Sequence, residues 1–317
     1  MAEYLHEGDI TLGNGIQGKT WQVETGNPQT FYQAISEPGG VEPIQIYAQT
    51  FLPQGVERPP VVVVVPGSTG VAPSHIYKAE LLTNAGMAAV LLDPFGSRNV
   101  ASTVANQAQY SFAASAWDVL ATVQAVAVSD QVNAQRIGVQ GHSRGGAAIL
   151  SAASMAKFTQ FSGQIAGIYG AYPWSGQQFL NPGVGDVKVR SIVGDQDEWC
   201  LPQQIQGHMQ ALKMAGADAS WRIVAGAHHS FDRPTEVELI AEASVSPGAP
   251  TIYIDDDGTY IHPVHGRTPP ETTERELMLY GIKAGYGIRG ARMGSEGDFA
   301  DIFHADMMAF WRDCFSA

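Results

Sequence analysis

Three short strings in this chain hold residues able to do covalent chemistry. The first, Arg136 to Ala148, reads RIGVQGHSRGGAA and sets Ser143 in the pattern G-x-S-x-G, between Gly141 and Gly145. The second, Gly194-Asp195-Gln196-Asp197-Glu198-Trp199, offers carboxylates, and the third, Ala225-Gly226-Ala227-His228-His229-Ser230-Phe231, offers imidazoles. A serine hydroxyl is a poor nucleophile at neutral pH. It needs a histidine to take its proton and a carboxylate to hold that histidine in the right tautomer. A glycine-rich turn with an idle serine would show the first string alone; all three, in the order serine, acid, histidine, are what acyl transfer on a parallel sheet requires.

Each string must be held at the end of a strand. Ser143 follows an apolar strand, Arg136 to Gln140, and precedes a helix running to about Lys157, so a sharp strand-to-helix turn lifts its hydroxyl clear of the sheet. The acid string closes the strand Val187 to Val193, and the histidine string closes Ser220 to Val224. Upstream, Val61 to Val65 is five consecutive valines, a strand buried on both faces, ending at Pro66-Gly67-Ser68-Thr69-Gly70. Helical spacing from Ile76 to Ala85, a strand from Ala88 to Leu92, a helix from about Ala108 to Val128, a strand from Ile165 to Tyr169 and a helix from Gln203 to Ala215 complete the alternation. Ile44 to Leu52 alternates with period two, as a strand exposed on one face does. The pattern predicts an α/β fold: a mostly parallel central sheet with helices on both faces.

The rest is read around that core as one domain, 1–317. Residues 1–40 are expected to form an N-terminal extension lying on it. Residues 232–300 read as an insertion near the site face. They hold an apparent hairpin, TIYIDDDGTYIHP, a charged helical stretch from Glu271 to Leu279 and a glycine-rich run to Gly297. Residues 302–315 form a closing helix.

Composition removes several function classes. Lys+Arg 18 against Asp+Glu 31 gives a formal charge of −13, and no basic run is present, which argues against nucleic acid and anionic membrane as partners. No apolar run approaches the ~20 residues of a membrane helix, and the acidic start MAEYLHEGDI does not read as an export signal. Cys200 and Cys314 make no disulfide framework or metal spacing, which favours a reducing, cytoplasmic compartment. His262, His265 and the run Asp255 to Asp257 are better explained as hairpin turn and solvated charge than as metal ligands. No metal and no cofactor is expected.

Residue types alone leave Asp195 or Asp197 as the acid and His228 or His229 as the base. The strings G-H-S-R-G-G, G-D-Q-D-E-W-C-L-P and G-A-H-H-S-F resemble the three motifs of the dienelactone hydrolase family, within the α/β-hydrolase superfamily, over roughly Ile44 to Phe231 plus the last helix. The resemblance implies an α/β-hydrolase fold, with Asp197 as acid and His229 as base. Asp195 is then left to cap its loop, and His228 to be a loop histidine. The family's namesake uses cysteine where this chain has Ser143. A serine esterase is therefore favoured over hydrolysis of dienelactone itself.

The oxyanion hole is expected from the backbone N–H of Arg144 and one from Ser68 or Thr69. Phe95, Arg98, Tyr172, Trp174 and Trp199, on loops at the same sheet edge, are candidate substrate contacts, and Arg98 and Arg144 candidate partners for a substrate carboxylate. The leading expectation is a serine hydrolase that cleaves a small-molecule carboxylic ester through an acyl-enzyme. The same site acting on a thioester, amide or carbon–carbon bond is one alternative. A silent α/β-hydrolase-fold binding protein is another, although its usual mark, a damaged triad, is missing.

Overall fold

Five valines in a row cannot alternate between core and solvent, so they must lie inside a sheet covered on both faces. The computed structural model describes residues 4–316. In chain order its strands are β1 (Lys19–Gly26), β2 (Pro43–Phe51), β3 (Val61–Val65), β4 (Ala88–Asp93), β5 (Ile137–His142), β6 (Gly167–Ala171), β7 (Gln177–Phe179), β8 (Lys188–Gly194), β9 (Asp218–Val224), β10 (Glu238–Val245), β11 (Ile252–Ile254), β12 (Tyr260–His262), β13 (Gly266–Arg267) and β14 (Ile288–Met293). Its α-helices are α1 (Phe31–Ser36), α2 (Pro73–Asn84), α3 (Phe112–Ala127), α4 (Arg144–Met155), α5 (Pro202–Met214), α6 (Glu274–Lys283) and α7 (Phe299–Phe315).

The central sheet has eight strands in the order β1-β2-β4-β3-β5-β6-β8-β9. The ladders from β4 to β9 are parallel, and only β1–β2 and β2–β4 are antiparallel. All of β3 is buried, as are all of β4 and β5. Burial stabilises each of the β3 valines by about 1.5–3 kcal/mol relative to exposure. Strand order reverses at β3, which has β4 on one side and β5 on the other. The loops leaving β3 and β5 therefore diverge to opposite faces, and a crevice opens between them at the carboxyl ends of the strands.

Two parts of the chain differ from the sequence expectation. Residues 1–40 contribute a strand of the sheet itself: β1 is its edge, paired along its length with β2 from Lys19↔Thr50 to Gly26↔Pro43. Its sequence KTWQVETG buries only Val23 and Gly26 fully, as an edge strand with one wet face does. Residues 1–3 lie outside the described residues. Residues 232–300 hold more structure than a hairpin and a helix. β10 and β14 pair antiparallel across some forty intervening residues. The hairpin β11–β12 joins β13 and the short β7 in a four-stranded sheet. Its Asp255-Asp256-Asp257-Gly258 turn closes through Gly258 N–H to the Asp255 carbonyl, and Arg267 pairs with Asp255 and Asp257. Among the described residues no helix is long and apolar enough to cross a membrane.

Glu274 docks this segment onto the core. Its buried carboxyl accepts the Phe112 N–H at 2.7 Å and the Ala113 N–H at 3.3 Å, two first-turn amides of α3 that have no carbonyl partner within the helix. Burial pushes this carboxyl from 4.5 up to about 7, against the opposing pull of those amides and Arg144. Between about pH 4.5 and 7 the folded protein thus keeps a proton that the unfolded chain has lost, and stability falls as pH rises through that window. Glu274→Gln removes the slope. Melting temperatures taken from pH 5 to 8 should show the variant gaining on the parent as pH rises and levelling off above about 7; parallel curves would refute the linkage.

Candidate active site

The strand-to-helix turn at Ser143 is tight enough to dictate its neighbours. A Cβ on Gly141 would collide with the carbonyl of Gly145, and one on Gly145 with the carbonyls of Val65 and Pro66. Ser143 itself is strained, at φ 54° and ψ −113°, outside the conformations an L-residue prefers. That strain aims its hydroxyl into the crevice beside the β3 loop.

Three strand ends meet there. Ser143 follows β5, Asp197 follows β8 and His229 follows β9. His229 Nε2 lies 3.1 Å from Ser143 Oγ, and His229 Nδ1 lies 2.8 Å from Asp197 Oδ2. The other Asp197 oxygen accepts the backbone N–H groups of Trp199 and Cys200, both at 2.8 Å, so the carboxylate is held from two sides. Asp195 does different work: its Oδ1 accepts the Gly226 N–H at 2.7 Å, tying the loop after β8 to the loop after β9. His228 lines a separate depression with Asp195 and Glu198.

His229 is wedged between two aromatic rings. Trp199 stacks on it, centroids 5.2 Å apart and planes 16° apart, and Tyr172 meets it edge-on at 4.7 Å. Behind it Tyr172 donates to Asp232 at 2.5 Å, and Asp232 is paired with the buried Lys78 of α2. Burial raises the Tyr172 phenol far above its ordinary value, so it stays a donor. The backbone of His229 is tied down as well, since its carbonyl accepts the N–H of Gly294, just after β14.

The crevice is a cleft of about 650 Å³ whose floor includes Ser68, Ser143, Arg144, Trp174, Trp199 and Cys200. Trp174 stacks on Phe112 at 4.5 Å. Residues 232–300 roof it: Val245 and Ile252, then Leu277, Met278 and Ile282 of α6. Two exposed arginines of the same segment, Arg275 and Arg289, also line it. Residues 232–300 thus contribute side chains to the wall of the cleft.

Several predicted contacts lie elsewhere. Phe95 is buried against Tyr110, their rings 5.7 Å apart. Arg98 grips Asp118 through both terminal nitrogens at 2.8 and 3.1 Å, away from the cleft. Tyr172 supports His229 from behind instead of facing the cleft. The Arg144 guanidinium is committed to the carbonyls of Gln107 and Tyr110 and lies 4.0 Å over the Phe112 ring. Both terminal nitrogens of each arginine are thus engaged within the protein. Of the oxyanion candidates, the Arg144 N–H opens α4, and no bond among the described residues engages the Ser68 or Thr69 N–H. Ser68 faces the cleft, while the Thr69 hydroxyl accepts from Arg233 at 3.2 Å.

Sequence reasoning set residues 232–300 near the site face without naming the side chains that line the cleft, and it passed over Phe112 and Cys200 as site residues. Cys200 stands in the acid string, yet its Sγ comes within 3.8 Å of Ser143 Oγ. Burial, then the Asp197 charge, raises its thiol well above the ordinary range, so it stays protonated. A readable signal for the lining side chains of residues 232–300 was the apolar run Leu277-Met278-Leu279, with Ile282 one turn beyond Met278, in a helix charged at its two ends.

The model of the dienelactone hydrolase family matches residues 46–246. The chain belongs to the dienelactone hydrolase family. It is accordingly a carboxylic ester hydrolase of the α/β-hydrolase superfamily. No curated protein matches this family member significantly in sequence. Among solved structures, a dienelactone hydrolase-like promiscuous phosphotriesterase from metagenomic libraries is 16% identical, with 86% of this chain and 99% of that one covered and a TM-score of 0.50. The esterase Est22 is 18% identical, with 68% and 75% covered and a TM-score of 0.50. A carboxylesterase from Lactobacillus plantarum, Cest-2923, is 17% identical, with 68% and 86% covered and a TM-score of 0.49. At such identities the likeness is one of fold.

Proposed function

We propose that this family member hydrolyses a small-molecule carboxylic ester through an acyl-enzyme on Ser143. The observation that carries the reading is the unbroken line Asp197–His229–Ser143, at 2.8 and 3.1 Å, drawn from three strand ends. Asp197 accepts the Nδ1 proton of His229 and so leaves a lone pair on Nε2 facing Ser143 Oγ. As Oγ attacks the ester carbonyl, Nε2 takes its proton; it returns that proton to the leaving alcohol. Water then repeats the sequence on the acyl-enzyme. The amides of Arg144 and of Ser68 or Thr69 receive the oxyanion, because they are fixed backbone donors on the turns that flank Ser143.

Residues 4–316 act, in this reading, as one α/β-hydrolase unit in which residues 232–300 shape the substrate pocket. Free Cys200 and Cys314 support a cytoplasmic setting. The apolar roof formed by Leu277, Met278 and Ile282 supports an ester with an apolar acyl or alcohol part.

A fluorophosphonate probe should label Ser143 and nothing else, and Ser143→Ala should remain unlabelled. Failure to label folded protein would overturn the assignment. On p-nitrophenyl esters of increasing acyl length, kcat/KM should rise roughly threefold to fourfold per methylene, at ~0.8 kcal/mol each, until the cleft is filled. A flat or falling series would remove the apolar-pocket reading while leaving the triad intact.

A further inference from the structure

The nucleophile and base have a third neighbour that hydrolysis does not use. Among the described residues, Asp197, Cys200 and His229 are a set of potential metal ligands whose donor atoms lie within 4.8 Å of one another. Cys200 Sγ is 3.8 Å from Ser143 Oγ, and His229 Nε2 is 3.1 Å from the same oxygen. We propose that Cys200 Sγ, His229 Nε2 and Ser143 Oγ form a preassembled three-donor site for a thiophilic divalent cation, and that filling it shuts the hydrolase off.

The two separations from Ser143 Oγ are close to what such an ion needs, and Cys200 Sγ lies within 4.8 Å of a ring nitrogen of His229. A tetrahedral cation with sulfur at ~2.3 Å, and with imidazole nitrogen and oxygen at ~2.0–2.1 Å, holds its sulfur and oxygen about 3.5 Å apart and its nitrogen and oxygen about 3.4 Å apart. The separations present, 3.8 and 3.1 Å, need adjustments of only about 0.3 Å each. The three donors arrive on three different strand-end loops. Their rigidity is that of the triad, so no separate folding step is needed to gather them.

The outer contacts fit too. A metal-bound imidazole normally gives its other N–H to a carboxylate, which fixes its orientation and raises its basicity as a ligand. Asp197 already does this for His229. The lone pair that would take the serine proton is the one a cation would take. On binding, the Cys200 thiol gives its proton to water and the sulfur binds as thiolate, while Ser143 remains a neutral hydroxyl ligand. Water or an anion from the cleft would complete the shell. Cys200 and Ser143 both line that cleft, so the cation enters by the substrate's route.

Hard cations are poor occupants of this donor set. A thiol and an imidazole favour Zn2+ or Co2+ over Mg2+ or Ca2+. The three-donor site needs Ser143 and His229 only where they stand, whereas inhibition rests on their serving as the catalytic pair proposed above.

The test is titration of the whole chain with ZnCl2 by calorimetry, alongside ester hydrolysis at the same Zn2+ concentrations. The expected result is binding of one Zn2+, inhibition reversed by EDTA, and no inhibition by Mg2+. In Cys200→Ala the Zn2+ concentration for half-inhibition, judged against the variant's own zinc-free rate, should rise at least tenfold. Cys200→Ser serves if the alanine variant folds poorly. Co2+ should give a thiolate-to-metal absorption band that both variants lack. Zn2+ binding and inhibition unchanged in the Cys200 variants would overturn the proposal, as would equal inhibition by Mg2+. A Cys200-dependent Zn2+ site in a protein without esterase activity would instead leave the site standing and remove the catalytic reading.

Discussion

Ser143→Ala is expected to lower kcat on a p-nitrophenyl ester on the order of 10⁶-fold, and Asp197→Asn about 10⁴-fold. Asp195→Asn should leave the rate nearly unchanged. The contrast between the two aspartates follows from where their oxygens go. Asp197 Oδ1 accepts two backbone N–H groups, so an asparagine there would keep its carbonyl oxygen on that side and turn its amide nitrogen toward His229 Nδ1. An N–H donor facing Nδ1 forces the imidazole proton onto Nε2, and Ser143 would then meet a donor where it needs an acceptor. Asp195 uses one oxygen to accept the Gly226 N–H, a bond that the amide oxygen of asparagine keeps, so the variant should lose less than about 1 kcal/mol of stability with the tautomer untouched. Steady-state rates of the three variants decide the matter. If Asp195→Asn were the more damaging aspartate variant, the acid assignment would be falsified.

The site was readable in the sequence to the extent that its geometry is local. Ser143 needs small neighbours because the backbone of its own turn folds back on itself, and that demand is written as Gly141 and Gly145. The acid and base strings sit directly after apolar strands, so their place at the sheet edge follows from chain order. What a side chain touches beyond its own loop was not readable. Phe95 and Arg98 leave the same sheet edge as the site, but Tyr110 and Asp118, distant from β4 in sequence, draw them away from the cleft. Tyr172 is turned beneath His229 by a backbone at φ 37°, a conformation no residue type announces. The strand pairing within residues 232–300 escaped for a related reason. β10 and β14 find each other across α6 and the hairpin, their residues are largely exposed, and neither strand carries the apolar run that marked β3. Likewise β1, wet on one face, reads as a polar extension until β2 is placed beside it.

The second large effect lies behind the site. Asp232→Asn is expected to destabilise the protein by about 3–5 kcal/mol, because it leaves the ammonium of Lys78 buried without a counter-charge. Both side chains are fully out of water. Burial alone would push the Asp232 carboxyl up, but Lys78, with His142 and Arg233, brings it well below the usual carboxylate range, so it is ionised wherever the protein is studied. His142 beside them is held to about 3 by burial, with Lys78 adding to the effect, and is neutral. Lys78→Met alone should cost a similar amount by stranding the opposite charge. Lys78→Met with Asp232→Asn removes both charges and still leaves an amide oxygen at the carboxylate's place to accept the Tyr172 hydroxyl, so it should recover most of the loss. Urea unfolding of the two single variants and the double variant measures the coupling; simple additivity of the two losses would show that the charges do not depend on each other. The pair matters to chemistry through position. Asp232 lies three residues beyond His229 and, through Lys78, clamps the loop after β9 to α2, while its other oxygen holds the Tyr172 ring that backs the imidazole. A buried ion pair that adds little net stability compared with apolar packing is therefore placed where it fixes the direction in which His229 points.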